Sequence, residues 1–500
     1  MAAARNDGWM VKIGLEIHCQ LTGLKSKLFC QCSSDYRGME PNANTCPVCA
    51  GLPGTLPLLN EKAVELAGMI SLAFGCKIPD RIMFYRKNYF YPDLPKDFQI
   101  TQYNAYGVSS IGAEGKLEYI PGAGSGADTG GKTARIRRVQ LEEDPGRLVY
   151  ETGSMESSPF ALIDYNRAGM PLVEIVTEPD FIDPRDVRIF LNKITSIVEH
   201  LGACDTSLEG SVRCDANVSV RGGNRVEIKN VSSFKEVEKA LTYEIARQKA
   251  KSDREIQVRS ETRHWDDARK VTKESRTKEE EQDYRYFPEP DIPSIALGQE
   301  FLSAIQSLTP ELPDDRKARF VSSYGLSPHV AQVLIDNKQL ADFFESCAKI
   351  NRSPKEIANL IVTDLMGLVG DDKKDSGAIF AGLKIRPAHI AELAGLVDRG
   401  VINRNTAKQI LGQIVKTGEM PSEVANKTGA SMIQDADSLS KAVQEVFRSE
   451  QAAVQDAKKN PNASNFLLGK VMQLTKGRAS PKAALELINK KLKEEQARPD

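Results

Sequence analysis

Four stretches of this chain alternate apolar and polar residues with a period of two, and the polar sides share a chemistry. In VKIGLEIHCQ, Ile13, Leu15 and Ile17 take one side and leave Glu16 and His18 on the other. In RVQLEEDPG, Val139 and Leu141 place Glu142 and Asp144 opposite, while Glu143 falls with the apolar residues. SVRCDANVSV turns Val212, Cys214, Ala216 and Val218 one way and Arg213, Asp215 and Asn217 the other. NRVEIKNV separates Val226 and Ile228 from Glu227 and Lys229. This period predicts half-buried strands, which alternate simply because one face is wet. Here, however, the wet faces repeatedly bring carboxylates, with a histidine and an arginine among them. If the strands pair in one sheet, Glu16, His18, Glu142, Asp215 and Glu227 converge on a concave surface. Such an oxygen-rich face suits Mg²⁺.

The 500 residues exceed one compact core, and two to four domains are expected. DPRDVRIFLNKITSIVEHLG predicts a helix capped by Asp183, with Pro184 at its first position. Its stripe runs through Val187, Leu191, Ile194, Val198 and Leu201 and stops at Gly202. SSFKEVEKALTYEIARQK predicts another, with Ser233 and Glu236 spaced as a capping box. After the proline-rich Phe287–Pro293 stretch the chain reads as helices only. The expected domains are therefore 1–294, 295–425 and 426–500. A net charge of -1 points to no global nucleic-acid or membrane surface. From Gln451 onward, though, ten Lys/Arg stand against five Asp/Glu. No apolar run reaches a membrane span, and the opening MAAARNDGWMVKIG reads as neither leader nor transit peptide, so a cytoplasmic protein is expected.

Two local motifs bear on chemistry. Cys30 and Cys32 form C-x-C, and after thirteen intervening residues Cys46 and Cys49 form C-x-x-C. Two close pairs that fold together offer four thiolates to a structural zinc; redox chemistry at CPVC alone leaves the first pair unexplained. GADTGGKT matches the phosphate-loop pattern through Gly126, Gly131, Lys132 and Thr133. A phosphate loop needs a helix after it, whereas ARIRRVQLEED alternates as a strand, so a hairpin connection is expected.

IGLEIHCQL, LFCQC, CPVCAGLPGTLPLLN, RKNYFYPDLPKDFQI, LEEDPGR, DYNRAGMPLVEIVTEPD, LEGSVRCDANVSV and YRYFPEPD occur in one order along the chain. Together they closely resemble the B subunits of tRNA-dependent amidotransferases, the GatB/GatE family. The E-type relatives carry an inserted domain for which 500 residues leave no room. The resemblance implies an α+β fold: an antiparallel-sheet cradle related to glutamine synthetase, an all-α helical domain and a small all-α tail. It also implies an ATP-dependent ligase that phosphorylates the side-chain carboxylate of Glu on tRNA(Gln), or Asp on tRNA(Asn), for attack by ammonia. An amidase A subunit would supply the ammonia through an internal channel, and a small C subunit would complete the heterotrimer. The alternative is a non-catalytic, zinc-stabilised tRNA-binding scaffold.

Carried over by the resemblance, Glu16, His18, Glu142 and Glu227 form a Mg²⁺ site with catalytic roles. Lys87, Tyr89, Tyr91 and Lys96 of the aromatic loop are candidates for holding ATP or the aminoacyl end, with Arg213, Asp215 and Asn217 beside them. The zinc-type cysteines are absent from some relatives, which makes Zn²⁺ structural rather than catalytic. Lys470, Lys476, Arg478 and Lys482 of the tail are placed to meet tRNA phosphates.

Overall fold

The structure, a computed structural model, describes residues 10–104, 107, 109–121, 130–152, 158–277, 284–369, 379–380, 382–428, 436–459, 463–475, 479 and 481–496. The chain divides into two compact units, 1–316 and 317–500. The first is built on an eight-stranded sheet. Its strands are β1 (Val11–Gln20), β2 (Gly112–Tyr119), β3 (Lys132–Glu143), β4 (Pro171–Thr177), β5 (Val212–Val220), β6 (Val226–Lys229), β7 (Glu261–Asp266) and β8 (Val271–Thr277). Their spatial order is β8-β7-β6-β5-β1-β4-β3-β2. Every pair is antiparallel except β6 with β7. Parallel neighbours need a crossover, and α3 (Phe234–Asp253) supplies it.

The four alternating stretches are thus β1, the end of β3, β5 and β6 of one sheet. Ile13, Leu15, Ile17, Val139, Leu141, Cys214, Ala216, Val218, Val226 and Ile228 are all buried in a single core. Val212 is only partly buried against it. Helices α1 (Glu61–Ala73), α2 (Pro184–His200) and α3 pack on this face. Asp183 caps α2, accepting from the Arg185 N–H at 2.9 Å, and Gly202 ends the stretch at φ +67°. The capping box on α3 is only half made. Ser233 Oγ accepts from the Glu236 N–H at 3.3 Å, but the Glu236 carboxylate turns away to Trp265 Nε1 at 2.9 Å and to Lys270.

Ile136 and Val139 both reach the core although their spacing is odd, because β3 carries a bulge between Ile136 and Arg138. β2 and β3 form a hairpin with Tyr119 opposite Lys132, so the glycine-rich segment is followed by a strand, as its alternation predicts. Gly126 lies outside the described residues. Lys132 lies on β3, and its Nζ is 2.8 Å from Asp186 Oδ2, an ion pair rather than a phosphate contact.

The first unit does not end at the Phe287–Pro293 stretch. Phe287 and Pro288 pair with Arg86 and Tyr85, Glu289 binds Arg86, and Ile292, Leu297 and Ile305 belong to the first core. The second unit is helical in all its described elements. Residues from Phe320 to Ala425 surround one apolar cluster, and those from Leu439 to Leu492 surround another. Among the described residues no helix is long and apolar enough to cross a membrane.

Candidate functional site

The pleat delivers the polar residues of β1, β3, β4 and β5 to one face, and the register decides which of them meet. His18 stands opposite Arg213 on β5 and Glu174 on β4, while Glu16 stands opposite Asp215. His18 Nε2 lies 3.7 Å from Glu16 Oε1 and 3.8 Å from Glu174 Oε2. One donor atom from each of the three falls within 4.8 Å of the others, a spacing that a single cation can bridge. Two carboxylates and an imidazole fit a hard divalent ion that keeps further positions for water or phosphate oxygens.

Glu142 borders this trio. Its Oε2 accepts from Thr101 Oγ1 at 2.8 Å. Burial, and then the charge of Glu174, push its pKa up to about 7, against the pull of His18 and Lys87. Burial also opposes ionisation of Glu16, but His18, Lys229, Lys87 and Arg138 hold it below its ordinary value. Lys87 works the other way. Burial alone would lower it, yet Glu142, Tyr89, Glu174 and Tyr284 keep it raised, so a cation faces the carboxylates. Its Nζ sits 4.7 Å from the Tyr284 ring centre and 5.9 Å from that of Tyr89. Burial, then the Tyr89 neighbours Asp93, Glu142 and Glu143, raise the Tyr89 phenol against the pull of Lys87. Tyr91 is exposed.

The remaining expected residues fall in two groups. Asp144 Oδ1 accepts from the half-exposed Arg213 at 2.7 Å and its buried Oδ2 accepts from Gln20 Nε2 at 2.6 Å, beside His18. Glu227 does not join the trio. It stands opposite Asn217, two positions along β5 from the partner of Glu16, and its Oε2 accepts from Thr262 Oγ1 at 3.0 Å. Lys229 links the two groups, 3.0 Å from Asp215 Oδ2 and 3.6 Å from Glu227 Oε1. Of the expected four, the structure brings Glu16 and His18 together with Glu174, which was not expected, while Glu142 borders this trio and Glu227 lies outside it. Glu174 sits in PLVEIVT, a strand buried on nearly every residue, where a lone acid inside an apolar run was the available signal. Lys96 and Glu143 pair on the opposite side of the sheet, where Glu143 Oε1 also accepts from the Ile100 N–H at 2.9 Å.

The cysteines form a second centre. The Sγ atoms of Cys30, Cys32, Cys46 and Cys49 lie within 4.8 Å of one another, which fits a four-thiolate ion. The Cys30 contact holds Cys49 down to about 4, and burial pushes Cys32 up to about 11. In the tail, Lys470 is engaged within its own cluster, 2.7 Å from Glu450 Oε1 and 5.3 Å from the Phe466 ring centre. Lys476 and Arg478 lie outside the described residues, as does the Lys482 side chain.

Comparison with known proteins bears directly on this arrangement. Residues 11–303 match the model of the GatB/GatE catalytic domain, and residues 342–492 match that of the GatB domain. The chain belongs to the GatB/GatE family. The B subunit of an aspartyl/glutamyl-tRNA(Asn/Gln) amidotransferase from Sulfurisphaera tokodaii is 49% identical over 481 residues, covering 96% of this chain and 99% of that protein. Proteins of the same description from Sulfolobus acidocaldarius and Thermotoga maritima are 48% and 44% identical, each covering 97% of this chain. These alignments cover 100% and 99% of the two proteins. The trio, Glu142 and the cysteine centre all lie inside the segment matched to the GatB/GatE catalytic domain.

Proposed function

We propose that this chain is the catalytic B subunit of an aspartyl/glutamyl-tRNA(Asn/Gln) amidotransferase, and that the face carrying Glu16, His18, Glu174 and Glu142 is its ATP-dependent centre. The observation that carries this reading is the meeting of two carboxylates, an imidazole and a lysine on one wet face of the sheet. A carboxylate resists amidation because its departing oxygen is too basic. Transfer of a phosphoryl group from ATP to the side-chain carboxylate creates a leaving group, and ammonia then forms the C–N bond as phosphate departs. Glu16, His18 and Glu174 would hold Mg²⁺, which when bound offsets charge on the transferring phosphoryl group. Lys87 offers a half-buried cation to phosphate oxygens from the same side. Arg138 orients Glu174 from 3.3 Å, and Thr101 orients Glu142.

Further parts of the reading follow from the same assignment. The 1–316 unit acts as a cradle of glutamine-synthetase type, and the four cysteines hold a structural Zn²⁺ that pins a loop poor in apolar residues. The 317–425 segment connects it to a tail, from 426 onward, that meets tRNA phosphates. An amidase A subunit delivers ammonia and a small C subunit completes a cytoplasmic heterotrimer. Glu16→Ala, assayed with the partner subunits present, tests the catalytic assignment. Loss of ATP-dependent amide formation by about 100-fold or more is expected. Retained activity would leave this chain a tRNA-binding scaffold.

A further inference from the structure

Lys27 is among the largest side chains completely shut away from solvent. Burying an ammonium group costs several kcal/mol unless an opposite charge is close. Its Nζ donates to the Asn44 carbonyl at 2.8 Å and to Cys49 Sγ at 3.6 Å. Among the described residues it forms no ion pair with a carboxylate. The carbonyl is neutral, so the sulfur cluster is the group in contact that can carry the balancing charge.

We infer that Lys27 is the buried counter-cation of a metal–tetrathiolate centre, needed for that centre to keep its ion. The inference rests on the zinc reading of the four cysteines and extends it to a residue outside the ligand set. Four thiolates around one divalent ion leave a net charge of about −2 in a dry site, and loading it releases the thiol protons. A fixed ammonium against one sulfur reduces that charge without occupying a coordination position.

The position of Lys27 suits this role in two further respects. Its own N–H donates to the Cys32 carbonyl at 2.9 Å, so its backbone belongs to the first cysteine pair while its tip rests on the second. Asn44, which receives the tip, is itself fixed. Its N–H donates to Asn166 Oδ1 at 2.8 Å and its Nδ2 donates to the Ser33 carbonyl at 2.8 Å. Lys27 therefore ties both halves of the centre to one rigid frame, as outer groups around metal ligands commonly do.

The test measures metal in the full-length chain. Zinc content is read by mass spectrometry, and retention is read against a competing chromogenic chelator. Wild-type protein should hold roughly one zinc per chain, lost in Cys46→Ser. If it holds none, the zinc reading and this inference both fall. With zinc present in the wild type, Lys27→Met and Lys27→Gln should each weaken retention roughly 10- to 100-fold, and Lys27→Arg should stay within a few-fold of wild type. Lys27→Gln removes the charge while keeping a neutral N–H donor one bond shorter than the ammonium, so it decides the matter if Lys27→Met does not fold. Wild-type retention in Lys27→Gln overturns the inference while leaving the zinc reading intact.

Discussion

Glu142 and Glu143 are neighbours in the chain, yet their carboxylates lie on opposite faces of one sheet. Glu142 accepts from Thr101 Oγ1 beside His18 and Glu174, whereas Glu143 accepts from the Ile100 N–H and pairs with Lys96. The pleat of β3 imposes this separation. Two chemically identical substitutions should therefore fail differently. Glu142→Gln keeps the Thr101 contact and should leave thermal stability near wild type while amide formation drops about 100-fold. Glu143→Gln strands a largely buried Lys96 and should cost about 3 kcal/mol, read as a lower urea midpoint. Equal loss of stability in both variants would contradict the two-faced arrangement.

Glu174 should matter to cation binding and Glu227 should not. Direct titration with Mn²⁺, followed by the signal of the free ion, gives a readout independent of turnover. Removing one donor of three in Glu174→Ala should weaken binding at least about tenfold. Glu227→Ala should bind as wild type does, because that carboxylate is directed to Thr262 and Lys229. The reverse pattern would restore the ligand set expected from the motifs.

These two residues also mark how far the sequence could be read. Alternation placed Glu16, His18, Glu142 and Glu227 on polar faces because each strand there has one wet side. Which of them share a site depends on register, and register comes from pairings between residues 150 or more apart in sequence, such as His18 with Glu174 and with Arg213. Glu174 escaped notice because β4 is buried on both faces, so period two disappears. The β3 bulge was hidden for a related reason: one extra residue reverses parity without any glycine to mark it. The cysteine centre was legible because close pairs bring their own geometry. Lys27 was not, since a lysine carries no sequence sign that its stem and tip are both enclosed.

The start of α2 offers a local check on stability. Asp183 caps the helix through the Arg185 N–H at 2.9 Å and also pairs with the Arg185 side chain at 2.6 Å. The guanidinium is half-exposed, so the ion pair adds little and the cap carries the effect. Asp183→Ala should cost about 1 kcal/mol and Asp183→Ser much less. Chemical denaturation of the three proteins decides between cap and ion pair, because Ser keeps only the former.

Glu236 should give the first unit a defined acid sensitivity. Burial works against its charge, but hydrogen bonds from Lys239, Lys270 and Trp265 hold its pKa down to about 2, from an ordinary 4.5. Between those values the unfolded chain takes up a proton that the native chain refuses. The resulting stabilisation is complete above about pH 5 and is lost as pH falls toward about 2. Glu236→Gln retains an oxygen for Trp265 Nε1 and removes the charge that Lys239 and Lys270 share. Its melting temperature should lie a few degrees below wild type at neutral pH, and the gap should close as the solution is acidified to about pH 3. Trp265, buried in the same core, reports the transition by fluorescence. A gap that stays constant or widens on acidification would show that this carboxylate does not carry the predicted linkage.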